Sequence, residues 1–233
     1  MNNAITMVLS LAMCPFSLVA AATPAGLLVE WRFDEGQGKV AHDTSEHGHD
    51  AQIHGATWLE LGNRFVLNLD GVDGHVDGGS SRLLNVSGPI TIEAWIRPMD
   101  KAYRETILFG EGYRSYALSW YNTDICVFYI GTPARYAWGQ VTLGQWNHVV
   151  ATYDGKNVSA WINGRLTSTV QTPITKYQPT GRFMIAAKGP DGRRFKGMLG
   201  AVRVYDRALA PDEIRRQYLA TIPTDTSPFL VPH

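Results

Sequence analysis

Residues 146–170 alternate apolar and polar side chains in three runs, interrupted by Asp154-Gly155-Lys156-Asn157 and by Asn163-Gly164. A period of two places every second residue on one face of a strand. An Asn-Gly pair between two such runs closes a tight hairpin, because both residues tolerate the positive φ of a type I′ turn. The segment therefore predicts three consecutive antiparallel strands. Ile90, Ile92, Ala94 and Ile96 alternate with Thr91, Glu93, Trp95 and Arg97 up to Pro98, giving a further strand with one face toward a core. Strands are also expected over 29–33, 64–69, 75–77, 106–110, 116–121, 126–130, 183–187 and 199–205. More than ten short strands separated by turns indicate an all-β, two-sheet antiparallel sandwich. One helix is expected near the C-terminus. It starts at Asp206 or at Ala210-Pro211-Asp212-Glu213, with proline early and acids in the first turn, and continues through Ile214 to Tyr218. Residues 221–233 carry three prolines and no periodicity, and read as a flexible tail.

Composition fits a folded chain. Hydrophobic residues make up 45% and charged residues 18%, enough apolar material for a core and too little charge for disorder. With 21 Lys plus Arg against 21 Asp plus Glu, the chain lacks the basic field of a nucleic-acid binder. The neutrality hides an asymmetry: residues 30–77 hold ten acids and three cations, whereas 182–216 hold nine cations and four acids. Pairing of the terminal strands would neutralise one block with the other.

The first 22 residues contain no Asp, Glu, Lys or Arg and end in Val19-Ala20-Ala21-Ala22. Small residues after a short apolar run read as a signal peptide cleaved near Ala22, which implies a secreted, periplasmic or extracellular protein with no membrane span after cleavage. The expected organisation is a signal at 1–22, one domain at 23–220 and a tail at 221–233. Cys126 alone then remains, so no intramolecular disulfide forms, and its β-rich setting marks it as a small buried hydrophobe.

Seven motifs occur in a fixed order: Trp31-Arg32-Phe33-Asp34-Glu35-Gly36, Gly55-Ala56-Thr57-Trp58, Leu69-Asp70-Gly71, Ile90-Thr91-Ile92-Glu93-Ala94-Trp95, Trp146-Asn147-His148-Val149, Trp161-Ile162-Asn163-Gly164 and Val202-Arg203-Val204-Tyr205. This series resembles the laminin-G-like jelly-roll domains of the concanavalin A-like lectin and glucanase superfamily, which also includes the pentraxins. The resemblance spans 28 to about 219. It implies a jelly-roll of two sheets, one convex and one concave, with ligand on the concave face or at its rim, and it leaves the activity open.

The catalytic signatures of such folds are missing. Retaining glucanases of the superfamily carry Glu-x-Asp-x-x-Glu on one strand, with carboxyls about 5 Å apart, and that spacing does not occur here. Asp70, Asp73 and Asp77 are the densest acids and read as a solvated turn. Gln52-Ile53-His54 is similar to a motif of alginate lyases, but it is followed by Gly55-Ala56-Thr57-Trp58, and the partner motifs are absent, so it reads as coincidence. His148 reads as structural. The resemblance also implies calcium in many relatives. The segments corresponding to the pentraxin ligand-bridging site hold one acid each, Glu111 and Asp191, the latter beside cations, leaving a structural calcium on Asp34 or Asp43 as the candidate metal site.

Candidate ligand contacts are of two kinds. Tyr113, Trp120, Tyr136 and Trp138, with Arg135, supply aromatic faces for sugar stacking, the Tyr113, Tyr136 and Trp138 positions being read as loops. Arg193 and Arg194 supply guanidinium groups suited to sulfate or uronate. The reading favours a secreted, non-catalytic carbohydrate-binding or adhesion module with a polysaccharide or glycan as partner and no required cofactor. Two alternatives stand beside it: a polysaccharide lyase or glycoside hydrolase, and a protein-binding cell-surface domain.

Overall fold

Alternation carries most of the fold, and one central strand shows how. In a computed structural model, which describes residues 24–100, 105–110, 116–121, 124–131, 135–171, 182–187 and 194–221, Ile90–Pro98 is buried over its whole length. Its aliphatic side chains point into the sandwich. Thr91, Glu93, Trp95 and Arg97, which the sequence assigns to an outer face, are buried as well, because other elements pack over that face.

The strands in chain order are β1 (Leu27–Trp31), β2 (Val40–Ala41), β3 (Ala51–His54), β4 (Thr57–Leu61), β5 (Arg64–Asp70), β6 (His75–Ser80), β7 (Ile90–Pro98), β8 (Glu105–Gly110), β9 (Tyr116–Tyr121), β10 (Ile125–Ile130), β11 (Arg135–Gln140), β12 (Asn147–Tyr153), β13 (Asn157–Ile162), β14 (Arg165–Gln171), β15 (Arg182–Ile185) and β16 (Lys196–Tyr205). They form two eight-stranded sheets. One, the covered sheet, has the order β14-β13-β12-β7-β16-β5-β4, with β1 paired to β16; the other, the open sheet, runs β11-β10-β9-β8-β15-β6-β3-β2. Every pairing is antiparallel. The β13–β14 hairpin turns at Asn163 and Gly164 with φ of 52° and 73°, as the type I′ reading requires. The core between the sheets holds Trp31, Trp120, Phe128, Phe183 and Phe195, none more than 1% exposed. Cys126 is buried and free, and burial pushes its thiol pKa up. Strands β2, β3, β4 and β11 are absent from the sequence-based expectation, since each is short or interrupted by glycine and polar residues.

Helix α1 (Pro211–Thr221) lies on the outer face of the covered sheet. Its Ile214 is fully buried with Leu27, Val150, Trp161, Tyr205 and Leu209. Pro211 occupies the first helical position, and Glu213 reaches back to accept the Ala210 N–H at 2.9 Å while gripping Arg207 through both carboxylate oxygens at 2.7 and 2.8 Å. The hydrogen bonds from Arg207 are the main reason that the Glu213 carboxyl is held at about 2. Tyr218 stacks on Trp95 with ring centroids 5.8 Å apart, and Trp95 Nε1 donates to Thr221 Oγ1 at 2.8 Å.

Beneath this layer lies an ion network. Arg203 on β16 donates through Nε to Glu30 of β1 at 2.7 Å and through Nη1 to Glu93 of β7 at 2.5 Å. His148 Nε2 lies 2.9 Å from the same Glu93 oxygen. Glu30 also accepts from Arg32 and from Thr44 Oγ1. Burial alone would raise the Glu30 pKa, but Arg32 and Arg203 outweigh it and bring it from 4.5 to about 2. The acidic and basic blocks of the sequence therefore do meet, through Glu30 and Arg203 and through Asp77 and Arg182.

The two sheets close on each other along β11, where Gly139 faces β13 and β14. A Cβ at Gly139 would collide with Ile162 and lie 2.7 Å from Thr167 Oγ1.

Two outcomes follow. Gly139→Ala lowers the unfolding free energy by about 2 kcal/mol, read from the denaturant midpoint; an unchanged midpoint contradicts the close approach. Glu30→Gln leaves Arg203 short of a partner and costs on the order of 3 kcal/mol near neutral pH. Because the folded-state pKa is depressed, the contribution of Glu30 is full above about pH 4.5 and disappears as pH falls toward 2. The stability gap between wild type and Glu30→Gln must therefore narrow across that window, and a constant gap refutes the linkage.

Candidate functional site

The two exposed large aromatic side chains among the described residues sit side by side on β11. Along Tyr136-Ala137-Trp138-Gly139-Gln140 the small residues point inward and the large ones outward. Ala137 is fully buried, whereas Tyr136 is 50% and Trp138 52% exposed. Tyr129, opposite Tyr136 on β10, meets its ring edge-on at 4.9 Å and 89°. The strand is also held from its free edge: the Trp138 N–H donates to Ser168 Oγ at 2.8 Å and Thr167 Oγ1 donates to the Trp138 carbonyl at 2.9 Å. Side chains of β14 thus satisfy backbone groups that an edge strand would otherwise leave open. The result is a fixed aromatic ledge facing solvent.

The same outer face of the open sheet continues to a polar region on β3, β6 and β15. Gln52 pairs with Asp77, and His54 pairs with His75, across β3 and β6. The two imidazoles stack at 4.7 Å and 15°, and His75 Nδ1 lies 2.8 Å from the Asp73 carbonyl. Asp77 is ion-paired with Arg182. Burial works against ionisation of Asp77, but the hydrogen bonds from Arg182 and the Gly79 N–H prevail and lower its pKa. In the sequence, Gln52-Ile53-His54 stands out only as a coincidental likeness to a lyase motif, which assigns Gln52 and His54 no surface role. Their spacing of two, in a four-residue strand, was the signal that they share a face. Asp70, by contrast, organises the β5–β6 turn as expected, accepting the N–H groups of Val72, Asp73 and Gly74.

The ligand residues expected from sequence separate in the structure. Tyr136 and Trp138 stand together on the outer face, in a strand rather than in loops. Trp120 is a correction: it is fully buried, faces inward opposite Cys126, and cannot meet a ligand at the surface. Aromatic neighbours give no phase, and Ser119, one residue away on the other side of the strand, is itself buried at 7% exposure. Arg135 belongs to β11 by its backbone. Arg194 precedes β16 of the other sheet and lies beside Gly71, with Nη1 buried and without a partner among the described residues. Tyr113 and Arg193 lie outside the described residues, as does the expected signal at 1–22.

Of the two acids named for calcium, Asp43 is already engaged by the protein. Asp43 accepts four hydrogen bonds, from the N–H groups of Glu30, Ser45 and His49 and from Ser45 Oγ, at 2.6 to 2.9 Å. Its oxygens hold the loop after β1 and are not free for a cation that needs six to eight oxygen ligands. Asp34 is exposed. No group of three or more His, Cys, Asp or Glu side chains suited to a metal occurs among the described residues, and no described helix is long and apolar enough to cross a membrane.

Comparison with known proteins bears on the fold. The binding domain of Botulinum neurotoxin DC, solved with rat synaptotagmin II, superposes with a TM-score of 0.68 at 14% identity, covering 84% of this chain and 51% of that one. The same domain in complex with SialylT gives 0.67 at 13%, covering 84% and 52%. The binding domain of Paraclostridial Mosquitocidal Protein 1 gives 0.70 at 13%, again covering 84% and 52%. The chain thus spans about half the length of these structures. No curated protein sequence matches it. A laminin-G family model described as Concanavalin A-like lectin/glucanases superfamily matches residues 70–215. That match covers more than half of the chain and agrees with the two antiparallel sheets, so the protein belongs to the laminin-G branch of the concanavalin A-like lectin/glucanase superfamily.

Proposed function

We propose that this chain is a secreted, non-catalytic binding module that captures a glycan on the outer face of its open sheet. The observation that carries the reading is the ledge of Tyr136 and Trp138, half exposed on one face of an edge strand whose backbone is fixed by Thr167 and Ser168. Sugar rings present apolar C–H faces, and a rigid aromatic surface binds them with little loss of side-chain freedom. Gln52 and His54 lie on the same face six strands away, about 29 Å by the spacing of neighbouring strands, and offer donors and acceptors to a long chain that crosses the sheet. The fold supports a binding role, as the toxin binding domains that share it do for their own partners.

Catalysis has less support. A glycosidase needs two carboxyls across the scissile bond; Asp124, beside the ledge strand, is engaged by Gln140, and Asp77, five strands away on β6, is neutralised by Arg182. The chain is therefore proposed to hold its glycan without cleaving it.

Retention on immobilised polysaccharides, neutral and acidic, tests the proposal. Wild type is retained by at least one, Trp138→Ala weakens that retention about tenfold, corresponding to about 1.4 kcal/mol of stacking, and thermal stability is preserved because the side chain is half exposed. Lack of retention on every polysaccharide, or equal retention by Trp138→Ala and Tyr136→Ala, overturns it.

A further inference from the structure

On the opposite side of the molecule, a cleft of about 620 Å³ opens on the outer face of the covered sheet. Its walls are the segment after β1, the β4–β5 hairpin and the C-terminal end of α1. Its floor is β16 at Gly200 and Ala201, which bring little side chain to fill it. The volume lies within the range of small-molecule sites.

Three arginines line this cleft, Arg32, Arg64 and Arg203, against one acid, Asp34. Their states differ in a useful way. Arg203 is 12% exposed and clamped by Glu30 and Glu93 through Nε and Nη1, so its position is set before any ligand arrives. Its Nη2 has no hydrogen-bond partner among the described residues. Arg32 uses one nitrogen on Glu30 and is 53% exposed. Arg64 is exposed and forms no ion pair or hydrogen bond among the described residues. The carboxylates of Glu30 and Glu93, on the strands either side of Arg203, offset much of the charge of Arg32 and Arg203, which leaves Arg64 as the uncompensated cation.

The residues around the arginines describe the rest of the ligand. Asn63 and Asp34 offer a donor and acceptors suited to hydroxyl groups, and the half-buried Phe65 adds an apolar wall. A bare inorganic anion would use none of these. We infer that this cleft is a second binding site, separate from the aromatic ledge, for a carboxylate-bearing sugar whose carboxylate is forked by Arg64 and Nη2 of Arg203 and whose hydroxyls meet Asn63 and Asp34. Guanidinium and carboxylate match in plane and spacing, which favours such a pair over a single point contact.

Calorimetric titration of the full chain at low salt with a galacturonate disaccharide, its neutral galactose counterpart and a sulfated galactose disaccharide tests this site. The uronate binds more tightly than the neutral sugar, and its affinity falls as salt is raised. Arg64→Gln weakens uronate binding about tenfold; because Arg64 has no partner to lose, thermal stability is unchanged. The preference for the uronate over the neutral sugar is kept in Trp138→Ala and lost in Arg64→Gln, which separates this site from the ledge. The inference is overturned if wild type shows no preference for the uronate, if the sulfated sugar binds more tightly, or if Arg64→Gln binds the uronate as wild type does. Loss of uronate binding in Trp138→Ala with retention in Arg64→Gln would place the acidic sugar on the ledge and equally overturn it.

Discussion

Arg203 and the two carboxylates it serves fix the relation between the first strand, the last strand and the centre of the covered sheet. Glu30 comes from β1, Arg203 from β16 and Glu93 from β7; the two carboxylates are buried, and Arg203 is clamped between them with one edge toward the cleft. An isolated charge in that position would cost several kcal/mol, whereas the network satisfies each group with an oppositely charged partner. The arrangement does not have to exceed an apolar core in stability to matter. It works as a registration device, because a one-residue slip of β16 against β7 would turn Arg203 into the aliphatic core and take its charge away from both carboxylates. His148, whose ring lies 5.0 Å from that of Trp95 and 6.0 Å from that of Tyr218, completes the polar layer from β12.

That layer divides the molecule functionally. The covered sheet is committed to structure over most of its outer face, with α1 anchored by Ile214 and the Glu213–Arg207 pair. What remains open there is the cleft beyond the helix end, where the same clamped Arg203 reaches the surface. The open sheet presents outward residues along its length, from the histidine stack on β3 and β6 to Tyr136 and Trp138 on β11. Gly139 couples this ledge to the core, since the close approach it permits brings β14 near enough for Ser168 and Thr167 to hold the Trp138 backbone. A feature of packing thereby sets the orientation of a surface residue.

Much of this was legible in the residues. The Asn163-Gly164 turn, the alternation of 90–98 and 146–170, the proline-led helix and the buried Cys126 each rest on a local rule that the tertiary structure does not override. The segments that escaped notice share a different property. Strand β11 reads as Tyr-Ala-Trp-Gly, in which glycine and the small alanine hide an alternation of size rather than polarity. Strand β3 is too short for a periodicity to declare itself. Trp120 shows the converse limit, because aromatic content marks a strand without saying which face an individual ring takes. The burial of the outer face of β7 is not legible from that strand, since Trp95 is covered by α1 and Thr91 by the segment before it, both more than one hundred residues away. Glu93 is held by Arg203 and His148, and Arg97 by the loop at Gly144. The Arg cleft is assembled from the segment after β1, the turn of β5 and the middle of β16, and no single stretch of sequence contains it.

The central claim is that the aromatic ledge, and not the buried tryptophans, meets the glycan. The most direct measurement is an NMR titration of the indole N–H resonances, assigned by single substitutions, with a neutral oligosaccharide that the protein retains. The account predicts progressive, saturable shifts of the Trp138 resonance while Trp31 and Trp120 stay fixed in the core. Saturation that moves the Trp95 resonance beside the cleft and leaves Trp138 unchanged would contradict it.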